Sequence, residues 1–270
     1  MFAPMASFSG TWVLVSGASS GIGEEFARQM AREGAHLVLT ARSSERLEQL
    51  ARKLGAAHHV ETQVVAADLA EPGGAEQVCR TVERLGVRIE HLVNNAGFGD
   101  IGPFIESDAE KQARMVRLNC ESLMLLSRHF LPEMVQRRRG GIIHVASVAG
   151  HMPVPFMATY GATKAFVLSF SLALAEEVRK HDVRVTALCP GPVPSGFQAT
   201  AGMPPSRVSG ALGMSAEATA KRALEAYEAR EVLCVPGLLN TVQTLSSKLL
   251  PRTLMVRSAA EAMRRMGRGK

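Results

Sequence analysis

The chain has 270 residues, of which 46% are hydrophobic and 21% are charged. That balance excludes a disordered chain, and the length allows one large α/β domain or two smaller ones. The net charge of +6 resides in residues 237–270, which hold seven Lys or Arg and one acid, whereas the rest of the chain has 24 bases and 24 acids. The high isoelectric point therefore describes a basic C-terminal segment, and we expect no nucleic-acid binding by the body.

Four cysteines are scattered along the chain without a C-x-x-C pair or the spacing of metal ligands: Cys79, Cys120, Cys189 and Cys234. We therefore expect reduced thiols, a cytoplasmic location and no metal site. The N-terminal residues MFAPMASFSGTW lack the basic segment and the apolar run of a secretory signal. No uncharged segment is both long and apolar enough to predict a membrane span.

Strand-like segments alternate with helix-like segments along the chain. In chain order the predicted strands are TWVLVS, HLVLT, VETQVVAA, IEHLVNN, GGIIHVAS and VRVTALC, and the predicted helices cover about 21–32, SERLEQLARKL, AEQVCRTVERL, 109–136 and 158–180. The strands are continuous Val, Leu and Ile runs rather than alternating patterns, which indicates burial on both faces. The sequence therefore predicts an α/β fold with a doubly wound parallel sheet, in three layers α/β/α.

One domain is predicted for residues 1–236, followed by a basic C-terminal extension at 237–270. The Pro- and Gly-rich stretch that starts at Pro190 is predicted to belong to a long substrate loop, 190–215, rather than to a domain boundary. We expect the extension to pack on or beside the domain. The alternative, an amphipathic helix that contacts an anionic membrane surface, also fits its mixture of apolar residues and arginines but is not favoured.

The first predicted strand runs into the glycine-rich turn SGASSGIG. Gly17, Gly21 and Gly23 allow a tight turn in which backbone N–H groups approach a pyrophosphate at a helix N-terminus. A glycine-rich turn can also serve packing alone. Its position between a buried strand and a helix favours a dinucleotide site.

The second predicted strand ends in LTAR, where an acid that binds a ribose 2′-hydroxyl is often found. This chain has Ala41 and Arg42 there instead. A guanidinium group matches a 2′-phosphate, so the sequence predicts NADP(H) in preference to NAD(H). The alternative is that Arg42 lies on the surface beside Glu45.

The third and fourth predicted strands also end in residues suited to a cofactor. Asp68 follows the third strand, where it can accept a hydrogen bond from an adenine amino group or cap the next helix. The fourth strand ends in NNAG, residues 94–97, whose small residues let the backbone pass close to a cofactor and whose Asn side chains can connect neighbouring strands.

The fifth predicted strand ends at Ser147, and YGATK opens the next helix. Tyr160 and Lys164 are four residues apart, so they share one helix face. A nearby ammonium group is expected to lower the pKa of a phenol, which is otherwise near 10. Tyr160 could then give a proton to a carbonyl group as a hydride arrives, while Ser147 stabilises the charge on the substrate oxygen.

Together, SGASSGIG, Asp68, NNAG, Asn119 in RLNCES, Ser147, YGATK and CPGPVPSGF resemble the classical short-chain dehydrogenase/reductase family over roughly residues 9–235. The resemblance implies a Rossmann-like single domain with a seven-stranded sheet. It implies a catalytic tetrad of Asn119, Ser147, Tyr160 and Lys164, in which the asparagine organises a water chain to the lysine. A finer likeness is to NADP-preferring ketoacyl and hydroxysteroid reductases.

The resemblance also implies the cofactor residues that follow the sixth strand. There Val193 by its backbone and Ser195 by its hydroxyl would anchor a nicotinamide carboxamide. The complete predicted cofactor set is Gly17, Ser19, Ser20, Gly21, Ile22, Gly23, Arg42, Asp68, Leu69, Asn95, Ala96, Gly97, Tyr160, Lys164, Pro190, Gly191, Val193 and Ser195.

The predicted substrate pocket is mostly apolar and consists of Phe98, His151, Val154 and Phe197. It suits an apolar carbonyl compound such as a ketone, an aldehyde, a ketoacyl compound or a steroid. We therefore expect an NADP(H)-dependent oxidoreductase acting on CH–OH groups; the alternative is a non-catalytic NADP(H)-binding sensor or scaffold. The family resemblance implies a homodimer or homotetramer that forms through the two long helices near 109–136 and 158–180.

Overall fold

The computed structural model describes residues 8–194, 197, 201–202, 214–249 and 251–267. Within these ranges seven strands form one parallel sheet: β1 Trp12–Ser16, β2 His36–Ala41, β3 Thr62–Ala66, β4 Ile89–Asn94, β5 Gly141–Val145, β6 Arg184–Leu188 and β7 Leu233–Cys234. Their order in the sheet is β3-β2-β1-β4-β5-β6-β7. The order reverses between β1 and β4, which opens a crevice at the carboxyl ends of these strands.

Nine helices accompany the sheet within the described residues: α1 Gly21–Arg32, α2 Ser44–His58, α3 Gly74–Leu85, α4 Ala109–Val116, α5 Leu123–Arg137, α6 Ala158–Val178, α7 Ala216–Glu228, α8 Leu238–Leu249 and α9 Arg252–Gly267. Short 3-10 turns lie at Phe104–Glu106, Val148–Gly150 and Arg179–His181. The predicted helix at 109–136 is divided, because a π-helical turn at Arg117–Ser122 separates α4 from α5.

The strands have apolar residues on both faces because helices cover both faces of the sheet. One core cluster joins α1, α2 and α7 to the sheet and includes Phe26, Leu47 and Leu224. A second cluster joins α3, α5 and α6 to the opposite face and includes Val78 and Phe130. Each fully buried side chain of this kind contributes about 1.5–3 kcal/mol. The predicted fold class, a doubly wound parallel sheet in three layers, is confirmed.

A buried histidine connects the second helix layer to the sheet. His144 on β5 places Nε2 2.9 Å from Ser127 Oγ on α5 and Nδ1 2.8 Å from Ser171 Oγ on α6. Burial lowers the pKa of His144 to about 3, so the imidazole is neutral at physiological pH. A single neutral ring therefore holds α5 and α6 against β5, the strand that Ser147 follows.

Helix α6 is unusually apolar. With the turn that follows it, the segment Ala158–His181 is long and apolar enough to cross a membrane by length and composition. Half of the most apolar 18-residue stretch of this segment is buried inside the fold, and the helix packs on β6 and β5. Packing on the sheet thus accounts for the apolar residues that surround Tyr160 and Lys164 in the sequence.

Candidate functional site

A cavity of about 560 Å³ opens at the carboxyl ends of the strands. The predicted cofactor residues that line it are Gly17, Ser19, Ser20, Gly21, Ile22, Arg42, Asp68, Leu69, Asn95, Ala96, Gly97, Tyr160, Lys164, Pro190, Gly191 and Val193. Gly23 is not part of this lining, and Ser195 lies outside the described residues. The carboxyl ends of parallel strands meet at one edge of the sheet, which is why residues far apart in sequence converge here.

The glycine-rich turn is closely packed against the end of β4. Gly17 has φ +67°, and a Cβ there would lie 2.7 Å from Asn95 Nδ2. A Cβ on Gly23 would lie 2.3 Å from Gly17 O, so Gly23 serves the packing of α1 against the turn. Asn95 Nδ2 donates to Ser16 O at 2.9 Å, and Ser16 Oγ accepts from the N–H groups of Asn95 and Ala96. These bonds join β1 to β4 and keep the turn open towards the cavity.

The start of α1 suits an anionic group. Ser20 is the N-cap residue, and its side chain makes no capping hydrogen bond to the helix. The first-turn N–H groups of a helix lack intrahelical partners and carry partial positive charge. Because Ser19, Ser20 and Gly21 all line the cavity, a phosphate bound there could accept from these groups.

Two arginines line the cavity next to the end of β2. Arg42 follows β2, Arg46 lies in the first turn of α2, and both side chains are exposed and line the cavity. Glu45 accepts a hydrogen bond from Gln49 instead, and no ion pair with either arginine occurs among the described residues. Arg46 was not among the predicted cofactor residues, although its position four residues after Arg42 could have indicated a second guanidinium group at this site.

Asp68 lies at the carboxyl end of β3 and lines the cavity. Its Oδ1 accepts from Ala70 N at 2.9 Å, and its Oδ2 accepts from Arg114 Nη2 at 2.8 Å. It does not cap α3, since the N-cap residue of that helix is Gly73, so that alternative is wrong. The two bonds hold the carboxylate in a defined orientation at the edge of the cavity.

The structure brings three of the four predicted catalytic residues to one wall. Ser147 follows β5, and its Oγ accepts from Ala149 N at 3.1 Å. Tyr160 and Lys164 lie on the first two turns of α6 and are both buried. Lys164 Nζ donates to Val145 O at 2.8 Å and lies 5.8 Å from the centre of the Tyr160 ring.

Asn119, the fourth predicted catalytic residue, lies behind this wall rather than in its lining. It belongs to the π-helical turn, and its side chain donates to Phe98 O and Thr163 Oγ1, both at 3.0 Å. A Cβ on Gly97 would lie 3.0 Å from Asn119 Oδ1 and 3.4 Å from Lys164 Nζ. The absence of a side chain at Gly97 therefore leaves the asparagine close to the lysine.

The electrostatics differ from the sequence prediction. Burial raises the pKa of Tyr160 to about 12, and the hydrogen bond with Ser147 offsets only part of that rise. Burial also lowers the pKa of Lys164 to about 8. The prediction that the protein's own cation lowers the tyrosine pKa is therefore wrong for these groups. Removal of water outweighs attraction, and the ammonium group makes its close contact with Val145 O.

Apolar side chains surround the substrate side of Tyr160. Phe98 and Phe197 line the cavity, and the rings of Phe197 and Tyr160 have their centres 5.3 Å apart. Val154 belongs to the apolar cluster around Tyr160 but is not part of the cavity lining. The half-buried His151 belongs to neither the cluster nor the lining. The cluster consists of Met115, Met157 and Tyr160, with Phe98, Ile101, Ala149, Val154, Phe197 and Met263 packed against it. Met263 was not expected from sequence. Most of the predicted substrate loop lies outside the described residues.

Comparison with known proteins identifies relatives of this chain. Residues 11–203 match the family described as short chain dehydrogenase. The very-long-chain 3-oxoacyl-CoA reductase of Laccaria bicolor is 36% identical over 181 residues, which are 66% of this chain and 54% of that protein. The chain thus spans about half the length of the curated relatives it matches.

Solved structures are similar over more of the chain. A short-chain dehydrogenase from Sphingobium yanoikuyae in complex with NADPH is 33% identical, with a TM-score of 0.78 over 88% of this chain and 94% of that one. A short chain dehydrogenase/reductase from Burkholderia phymatum in complex with NAD is 28% identical, with a TM-score of 0.77 over 90% of this chain and 94% of that one. The fold, the ordered strand-end motifs and these matches show that the chain belongs to the short-chain dehydrogenase/reductase family.

Proposed function

We propose that the protein is an NADP(H)-dependent oxidoreductase that interconverts a carbonyl group and an alcohol on an apolar substrate, with Tyr160 as general acid and base. The observation that carries this proposal is the meeting of Ser147, Tyr160 and Lys164 in one cavity with the glycine-rich turn. The apolar side chains beside Tyr160 suit a ketone, an aldehyde, a ketoacyl compound or a steroid-like carbonyl compound.

The residues of the cavity fit a dinucleotide. The turn at Gly17 has no room for a Cβ, and the first turn of α1 leaves N–H groups for a pyrophosphate. Arg42 and Arg46 offer two guanidinium groups for a 2′-phosphate. The chemistry that NADP(H) supplies when bound is hydride transfer to or from the substrate carbon. Because related structures contain NADPH in one case and NAD in another, the preference for NADP(H) rests on the two arginines.

The protein groups define a path for the proton. Ser147 Oγ can donate to the substrate oxygen and stabilise the negative charge that develops there. Tyr160 donates its phenolic proton to the same oxygen during reduction. With its pKa near 12 the phenol is fully protonated at neutral pH, which suits the acid role. Lys164, still largely cationic at pH 7, stabilises the phenolate that is left.

The reverse reaction requires a phenolate before it starts. Burial raises the pKa of Tyr160, so we expect alcohol oxidation to become faster as the pH rises and more phenolate forms. Met263 of the extension packs against the apolar cluster of the domain, whereas a cytoplasmic location and a contact of the extension with a membrane stay predictions.

A homodimer is our proposal for the assembly. Met124 on α5 and Phe166 and Leu172 on α6 are apolar and 38–40% exposed. These helices are neighbours in one layer, so the three side chains offer a hydrophobic face for a second copy.

The rival function is a sensor or scaffold that binds NADP(H) without turnover. It would leave the contact of Ser147 with Tyr160 and the buried cation without a purpose. NADPH oxidation across aldehydes, ketones, quinones and ketoacyl thioesters distinguishes the two: tight NADPH binding with no turnover on any class would favour the sensor.

Replacement of Tyr160 by Phe should abolish the proton transfer without disturbing the fold. We expect kcat to fall by about 10²- to 10⁴-fold while the Kd for NADPH stays unchanged. The matched control is Tyr227→Phe, which removes the other phenolic hydroxyl, at the opposite end of the sheet against His91. Equal losses in the two variants, measured per folded protein, would contradict the assignment.

The pH dependence of the reduction rate should reflect the loss of the proton from Lys164. The rate should decline as the pH rises through about 8, because the lysine then loses the charge that stabilises the phenolate. Lys164→Met should reduce kcat by about 100-fold and remove that decline. The exposed Lys53→Met serves as control and should keep the wild-type profile; a Lys164→Met profile parallel to wild type would refute the role.

The two arginines should determine the choice of cofactor. Arg42→Ala and Arg46→Ala should each lower kcat/KM for NADPH by about 10-fold, since a hydrogen bond to a charged group contributes about 1.5–3 kcal/mol and these sites are exposed. The value for NADH should not change. Arg52→Ala, on the outer surface of the same helix, is the control. Similar losses for both cofactors would defeat the 2′-phosphate assignment.

The dimer face can be tested with charge. A carboxylate at Phe166 or Leu172 would be desolvated at the interface, so the double variant Phe166→Glu and Leu172→Glu should sediment as a monomer. Leu85→Glu, a residue of similar exposure on α3, should leave the assembly intact. An unchanged sedimentation coefficient in the double variant would remove these helices from the interface.

A further inference from the structure

The C-terminal extension reaches the apolar cluster that borders the cavity, although Met263 itself is not part of the cavity lining. Met263, in the last turns of α9, packs against the apolar cluster of Met115, Met157 and Tyr160. It is partly buried there, together with Phe98 and Phe197. A residue beyond the seven-stranded body thus contributes to the apolar surroundings of the proposed proton donor.

The cluster includes Phe98 and Phe197, two of the residues assigned to the proposed substrate pocket. A Cβ on Gly99 would lie 2.8 Å from Phe197 Cζ, 3.3 Å from Tyr160 Cδ2 and 3.4 Å from Met157 Cε. These four residues therefore form a dense inner wall that leaves no space for a further atom. Met263 is partly buried and packs against this cluster from α9, so it lies next to the inner wall rather than within the cavity lining.

The chemistry of methionine suits that position. Its thioether chain is unbranched and flexible, so it adapts to apolar ligands of different shape and fills irregular gaps. On α8, by contrast, the side chains of Leu238, Leu239 and Val242 are more than half exposed, so they do not form part of an enclosed wall. Among the described residues of the two helices of the extension, Met263 on α9 is the one that packs against the apolar cluster of Met115, Met157 and Tyr160.

We propose that Met263 forms the outer wall of the substrate site and limits the length of the alkyl group that the enzyme accepts. This inference rests on the proposed function. Shortening the side chain removes the wall and should favour long alkyl chains. A rigid aromatic ring at the same position blocks the space and should favour short ones.

The test compares kcat/KM with NADPH for methyl ketones from pentanone to tridecanone. Met263→Ala should raise the ratio of long-chain to short-chain values by about 10-fold, and Met263→Phe should lower it by a similar factor, as expected for changed contact with a few methylene groups. Met255→Ala makes the same substitution on the same helix at a residue outside the cluster, and should leave the ratio unchanged.

A purely structural role for α9 would give a different result. Met263→Ala would then lower the Tm and all kcat/KM values together without changing their ratio, and that outcome would overturn the inference. A change of the ratio in Met255→Ala equal to that in Met263→Ala would overturn it too.

A second measurement needs no turnover. In the variant Met263→Cys, tridecanone with NADP⁺ should slow the modification of the introduced thiol by a maleimide at least fivefold, with the site identified by mass spectrometry. Met255→Cys should show no such protection, and among the native thiols Cys79, Cys189 and Cys234 are buried. Protection without reduction of any ketone would contradict the proposed function alone, whereas reduction without protection would contradict this inference alone. If the thiol were not protected and no ketone were reduced, the result would contradict both the proposed function and this inference.

Discussion

The site depends on a lysine ammonium group held inside the protein. Lys164 is only 5% exposed, and its close polar contact is the carbonyl oxygen of Val145 at 2.8 Å. Removing a charge from water costs several kcal/mol, which explains why its pKa falls to about 8. Gly150 makes the position available, since a Cβ there would lie 2.6 Å from Lys164 O, and Gly97 lies next to the ammonium group, where a Cβ would be 3.4 Å from Nζ. The end of β5, the turn after it and the end of β4 are thus all shaped around one cation.

The same burial determines how Tyr160 can act. A phenol in this environment keeps its proton, and the Ser147 hydrogen bond lowers its pKa only in part. In the mechanism we propose, reduction therefore needs no preformed phenolate. It needs a neutral acid beside the substrate oxygen and a cation that stabilises the product phenolate. Attraction to Lys164 becomes effective as the proton leaves, which places its benefit in the transition state rather than in the resting protein.

Much of the fold and the site followed from local sequence because parallel strands end at a common edge. Continuous apolar runs predicted the strands, and the residues after them, such as Gly17 and Ser147, converge for that topological reason. Other features required the tertiary structure. The sign of the Tyr160 pKa shift depends on burial depth, which spacing along a helix does not encode. The contact of Met263 with the cluster depends on where α9 packs, and no periodic pattern in the extension specifies that position.

The residues that we propose for the chemistry and the residue that we propose to limit the substrate lie in different parts of the chain. Ser147, Tyr160 and Lys164 lie within residues 11–203, the part that matches the family. There, an apolar sheet on both faces and close glycine contacts leave little freedom for change. Met263 lies outside that match, on a helix that contributes to neither the sheet nor the dinucleotide turn. A substitution at the outer wall can therefore alter the alkyl group that fits without disturbing the buried cation.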